Sequence, residues 1–313
     1  MNEPTPNLGA IMPAPSRIAG VLFAVFGAAF FATKGIFIKL ALVENVDVLT
    51  TLTWRMILSA PIFIAIGYWG HRDNLTQGRT GKLTGSLLMR SALVGALGYY
   101  VASYLDFKGL EFVTVQFDRL ILMTYPIFVV LISALVLKMR ITGKMIGALA
   151  LSYGGLAVVF LRDLSLLGQD IYLGGVLVLG AALAFACYQI LAKPIIDEIG
   201  ARLFTSIAMA SAGIAVIVHF LLVNDVASLA LSGKAMFYMG GIALASTILP
   251  AYFLSAAIGR IGPQATAVLG NVSPLVTAIL AVFILGEIFT VYHALGTAMV
   301  IAGVILFMNQ KAR

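Results

Sequence analysis

Apolar residues fill this chain in ten long blocks separated by short polar breaks, at 18–40, 48–69, 86–107, 112–137, 144–161, 171–193, 201–223, 235–258, 263–286 and 290–308. A helix needs about 20 such residues to cross a hydrocarbon layer of ~30 Å. A spanning segment must also satisfy its own backbone groups, which favours helices in a chain without strand-like alternation. The pattern therefore predicts ten transmembrane helices. Composition agrees: 61% hydrophobic residues, 11% charged residues and a mean hydropathy of +1.04 lie far from the balance of a soluble domain and exclude an ordinary soluble enzyme.

The two halves of the pattern are related. Residues 104–160 overlay 252–308 at a constant offset of 148 without a gap, placing Tyr104 on Tyr252, Gln116 on Gln264, Pro126 on Pro274, Leu137 on Leu285, Thr142 on Thr290 and Gly155 on Gly303. A five-helix unit ends on the side opposite its start, so its second copy inserts upside down. Internal repeats of this kind accompany carriers whose site lies between the halves. The expected architecture is all-α integral membrane, with ten transmembrane helices as two inverted five-helix repeats around a central cavity. Residues 1–16, rich in proline, are expected as a disordered cytoplasmic tail, 17–164 as the first repeat and 165–313 as the second.

Charge sets the orientation. With a cytoplasmic N-terminus, thirteen of the 20 Lys and Arg residues fall on the cytoplasmic side, among them Arg17, Arg72, Arg79, Lys138, Arg140 and Lys193. Only Lys39, Lys108, Arg162 and Lys234 fall on the other, and Lys34, Arg55 and Arg119 remain inside the membrane. This bias predicts the cytoplasmic (inner) membrane with both termini cytoplasmic. It also accounts for the net charge of +7 without a nucleic-acid surface, since no basic run with interleaved aromatics lies in a soluble segment. Arg17 followed by an apolar run resembles a secretory signal, but the run continues to Leu42 and the five-plus-five count requires it.

The stretch from Ala257 to Pro274, the following Leu285-Gly286-Glu287, and then Thr290 and Gly303 resemble the EamA-type half of the drug/metabolite transporter superfamily. That unit typically ends in a proline-centred helix, a Leu-Gly-Glu and a glycine-containing final helix. The first copy matches through Leu110, Tyr125-Pro126, Leu137, Thr142 and Gly154-Gly155, and Arg55 fits an arginine often found in the unit's second helix. The resemblance covers nearly the whole chain and implies a secondary transporter of a small metabolite, with export as the family's usual direction. It names no substrate. Where the second copy has Gly286-Glu287 the first has Lys138-Met139, so Glu287 is expected as a helix-end residue.

Ionisable groups inside a bilayer cost at least ~2.5–3.5 kcal/mol each and need a partner or water. Lys34, Arg55, Asp118 and Arg119 are predicted at one depth, with Tyr99 and Tyr100 in the same layer. Asp118 is expected to pair with Arg55 or Lys34, and Arg119 to snorkel towards the surface. A surplus of positive charge remains, which makes Lys34 and Arg55 candidates to hold a substrate carboxylate or phosphate. The second repeat offers uncharged groups, Tyr188, Gln189, Ser206, Thr247, Tyr252, Thr266 and Asn271, of which Gln189, Tyr252 and Asn271 are candidate substrate-binding residues. Cations on one side and neutral hydrogen-bonding groups on the other suit a polar, zwitterionic or anionic, amino-acid-like metabolite.

Pro126, Pro250 and Pro274 are candidate hinges, because a proline inside a helix frees a carbonyl four residues earlier. Asp118 is the candidate for proton coupling. His219 is expected at the outer interface, and Cys187 as packing. The glycines pack helices and leave monomer or homodimer open. No cofactor or metal is expected: the three histidines are scattered, and neither a phosphate-binding lysine loop nor a nucleophile with a base is present. A membrane-embedded enzyme acting on lipid or isoprenoid substrates, or a channel, are the competing readings.

Overall fold

A computed structural model of the chain describes residues 14–76, 84–125, 127–129, 131–132, 143–251, 253, 256–257, 260, 269 and 273–308. All regular structure among them is helical. The first apolar block forms α1 (Ala14–Ala32) and α2 (Lys34–Val43), divided at Thr33. Its hydroxyl donates to Phe30 O at 2.6 Å and so terminates α1 from within. Helix α1 thus begins inside the segment 1–16 expected as a tail, and residues 1–13 lie outside the described residues.

Asp47 opens α3 (Val48–Thr76) by accepting from the Leu49 and Thr50 N–H groups at 2.9 and 3.0 Å. The third block is α4 (Gly85–Gly95), a π-helical turn Ala96–Val101 and α5 (Ala102–Gly109). Next come α6 (Val115–Leu122), α7 (Gly143–Leu167), α8 (Asp170–Ile199) and α9 (Ala201–Val223), then α10 (Gly233–Ala243) with a second π turn at Leu244–Ile248. The chain ends with α11 (Ser273–Leu280), a third π turn at Ala281–Leu285 and α12 (Val291–Met308).

Among the described residues five helical segments are long and apolar enough to cross a bilayer: Ile18–Val43, Val48–Arg72, Ile146–Leu164, Asp170–Ile196 and Leu203–Val223. Two apolar segments, Ser273–Leu285 and Val291–Leu306, are shorter. Phe283, Leu222 and Phe237 are 83%, 79% and 71% exposed, so the outer face is itself apolar, as lipid contact demands and water would not tolerate. The chain is a multi-pass α-helical membrane protein.

The seam between α7 and α12 reveals how the two copies meet. A Cβ at Gly155 would lie 2.7 Å from Gly296 O, and one at Gly303 would lie 2.7 Å from Ala148 O. Adding 148 to one member of the first contact and subtracting it from the other gives the second, so the same patch is used by both helices, as across a twofold axis. Ser152 donates to Val300 O at 3.3 Å, 148 positions away, close to that axis. Contact positions rise along α7 as they fall along α12, so the pair runs antiparallel. Helices α3 and α9 also cross antiparallel: Ser206 donates to Phe63 O at 2.7 Å, while Gly213 faces Met56.

The π turns obey the same relation. Carried forward by 148, Ala96–Val101 falls on 244–249, where the second π turn occurs. A π turn widens a helix by one residue and commonly marks a functional position. In the second copy it precedes Pro250, whose missing N–H leaves Ser246 O without its usual donor.

Candidate functional site

Arg55 of α3 joins the second π turn to α5, the helix that continues from the first. Its Nε donates to Thr247 Oγ1 at 3.2 Å, in the second π turn, and its Nη1 donates to Ser103 Oγ at 3.0 Å, just beyond the first. Its guanidinium lies 5.7 Å from the Phe107 ring centre. Arg55 is only 7% exposed and makes no ion pair among the described residues, so a buried cation is held by neutral hydroxyls. Tyr99 lies beside it and its hydroxyl accepts from Tyr188 at 3.1 Å. Gly98 permits this contact, since a Cβ there would stand 2.3 Å from the Tyr188 ring.

One turn along α5 from Ser103 is Asp106, 2% exposed, and Lys34 Nζ donates to its Oδ2 at 2.6 Å. The ion pair expected for Asp118 is therefore made by Asp106 instead. Tyr99, Ser103 and Asp106 recur at the four- and three-residue spacing of one helix face. That spacing is the sequence signal for Ser103 and Asp106, which stand at the end of the block 86–107 and are not among the candidates named from sequence. Asp118, also 2% exposed, lies against Asp106, with Lys34 and Arg119 as its nearest cations.

Arg119 does not reach the surface. It is 6% exposed, donates through Nη2 to Phe31 O at 2.7 Å and through Nε to Thr277 Oγ1 at 3.3 Å, and covers the Phe31 ring at 4.7 Å. Thr277 in turn donates to Ala32 O at 3.3 Å. The last carbonyls of α1, orphaned by the break at Thr33, thus receive donors from α6 and α11.

The remaining candidates divide. Tyr100 Oη lies 2.8 Å from His219 Nδ1, and the rings of Tyr100 and Tyr104 flank that histidine, so Tyr100 faces α9. Gln189 lies beside Tyr125. Pro250 and Pro274 are buried, Pro274 as the second residue of α11. Pro126, Tyr252 and Asn271 lie outside the described residues.

A second polar cluster holds the start of α6. Thr114 caps Phe117 N–H at 3.1 Å and donates to Asp163 Oδ2 at 3.0 Å, while His293 Nε2 stands 3.0 Å from Asp163 Oδ1. His293 Nδ1 accepts from Thr290 N–H at 3.2 Å, which leaves the ring's proton on Nε2, pointing at the carboxylate. Glu287 accepts from Val115 and Gln116 N–H at 2.8 and 3.3 Å. It reaches them because Gly286, at φ +70°, turns the chain as only glycine readily does. No cluster of three or more His, Cys, Asp or Glu suited to a metal occurs among the described residues. A pocket of about 360 Å³ opens at the rim, lined by Glu44, Asn45, Asp47 and Ser228 among others, apart from the Arg55 layer.

A multi-pass helical protein built twice from one unit, with a cation buried where the copies meet, has the organisation met among membrane transporters. The chain belongs to the EamA-like transporter family, whose profile matches it twice, at residues 18–161 and 172–309. It is 27% identical over 281 residues to an uncharacterized transporter, YcbK, of Bacillus subtilis (strain 168), with 86% of each chain covered. A solved crystal structure sharing 15% identity superimposes with a TM-score of 0.57 over 92% of this chain and 96% of the other, a likeness of fold alone.

Proposed function

We propose that the protein is a secondary carrier that moves a small anionic or zwitterionic, amino-acid-like metabolite across the cytoplasmic membrane by alternating access. The carrying observation is Arg55, a buried guanidinium that joins the second π turn to α5 and whose hydrogen-bond partners among the described residues are neutral. Hydroxyls satisfy its donors without neutralising its charge, and a substrate carboxylate can displace them with a bidentate, charge-assisted pair. Because the bonds join Ser103 in one copy to Thr247 in the other, exchanging them for substrate would loosen the halves from each other.

The antiparallel pairing of α7 with α12 supports inverted halves, and the apolar blocks of the sequence suggest five helices for each. On this reading Lys34, Arg55, Tyr99 and Thr247 line the path from the side of the cations, with Gln189, Tyr252 and Asn271 continuing it in the second copy. Pro126, Pro250 and Pro274 provide the bends, and both termini lie in the cytoplasm. One chain supplies both halves, so a monomer suffices.

The test is counterflow in proteoliposomes preloaded with pooled amino acids or organic acids, after a thermal-shift screen of the purified protein. Saturable exchange, lost for carboxylates in Arg55→Ala but retained for neutral ligands, is the expected result. Flux that never saturates would identify a channel, and carboxylate exchange unaffected by Arg55→Ala would remove Arg55 from the site.

A further inference from the structure

The contact between Asp106 and Asp118 calls for its own account, which rests on the carrier reading above and extends it to the coupling ion. The two carboxyls come from different helices, α5 and α6. Each is 2% exposed, and the two carboxyls are neighbours in the interior, with Lys34 and Arg119 as the nearest cations to Asp118. Oδ1 of Asp106 and Oδ1 of Asp118 are both buried without a donor among the described residues, while Lys34 serves only Oδ2 of Asp106. Buried acceptors are rarely left in that state. Two carboxylates pressed together away from water repel, whereas one proton between them turns repulsion into a hydrogen bond.

We propose that Asp106 and Asp118 form a one-proton site, and that the arrival of this proton releases Lys34 from Asp106 to take an anionic ligand. The neighbouring charges fix the sign. Helix α2 contributes Lys34 and, further off, Lys39, which also feels Glu287 and Glu111. Helix α3 contributes Arg55, and α6 itself Arg119. Helix α7 sends Asp163 only to the first turn of α6, where His293 of α12 pairs with it. Helix α11 offers Thr277 and carries no titratable residue.

Lys34, Arg55 and Arg119 stand against Asp106 and Asp118, a surplus of one positive charge when both carboxyls are ionised. The shared proton raises that surplus to two and weakens the hold on Lys34. The protonated site therefore attracts an anion more strongly, and by reciprocity an anion draws the proton in. Proton and anion move together, in a ratio of one to one.

The test needs no known substrate. Infrared spectra of the reconstituted full-length protein, with aspartate carboxyls labelled by carbon-13, are recorded across a pH series. A protonated aspartate band at neutral pH, titrating as a single group and missing from Asp118→Asn, is the expected result. Asp106→Asn, which also frees Lys34, should remove it too. Absence of the band from the wild-type protein, or its survival in both variants, overturns the proposal. Failure of the carrier reading has a different signature, loss of counterflow while the band remains. If Asp118→Asn does not fold, the wild-type titration and Asp106→Asn still decide the matter.

Discussion

Arg119 closes α1 by donating to the carbonyl of Phe31 at 2.7 Å, across a break that Thr33 creates. Hydrogen bonds from a charged donor contribute about 1.5–3 kcal/mol, and a buried carbonyl left without one adds its desolvation cost. Arg119→Ala is expected to lower stability by at least that amount in a thermal melt of the purified protein. Arg119→Lys, which offers a single point of donation in place of a fork, should recover only part of the loss. An unchanged melting temperature in Arg119→Ala would show that the broken first span closes by other means.

The shared seam of α7 and α12 makes a symmetric demand. Gly155→Ala and Gly303→Ala each drive a methyl against a backbone oxygen at 2.7 Å, so both should destabilise by about 1–3 kcal/mol and to a similar degree. Gly147→Ala, also in α7 but with nothing within 4 Å, should be neutral or slightly stabilising. Melting curves of the three variants side by side check the pairing, and unequal losses at 155 and 303 would argue against it.

Glu287 acts on a helix far from it in sequence. Its carboxylate caps two N–H groups at the start of α6, where negative charge is favoured by the helix dipole. Glu287→Ala should cost about 1 kcal/mol and Glu287→Gln less, since the amide keeps one acceptor. Hydrogen exchange at Val115 and Gln116 should quicken in the alanine variant before the rest of α6 is affected.

At the rim, outside the spans, Asp47 carries a pH signature. Burial acts to raise its pKa, but hydrogen bonds from the Thr50 hydroxyl and N–H, from Asn224 and from Leu49 N–H outweigh this and hold it below the ordinary 3.8. A carboxyl lowered in the folded state contributes stability that is present above its unfolded value and lost as pH falls through the folded one. Asp47→Asn should therefore be less stable than wild type at neutral pH, with the difference shrinking as the solution is acidified below the usual carboxylate range. A constant difference down to strong acid would mean the loss is steric.

Much of this was legible beforehand. The apolar blocks located the long helices because lipid-facing and packed positions are both apolar, and the offset of 148 marked the two copies whose equivalent helices, α7 and α12, pack together. Arg55 was recognisable as a charge needing a reason, and Glu287 as a helix-end group. Its partner helix was not, since capping joins positions that sequence keeps far apart. Asp106 escaped because it stands at the end of the block 86–107, where a carboxyl reads as interfacial, and only the fold shows it buried against Lys34. Thr33 also gave little warning, because threonine is common in spans and breaks one only when a neighbour such as Arg119 accommodates the freed carbonyls.

The matched wide turns at 96–101 and 244–248 carry a historical consequence. The same irregularity would hardly arise twice at one register, so it was present in the ancestral half before the gene doubled. Duplication then allowed the sides to diverge, and Arg55, carried by the first copy, marks where they took up unequal duties.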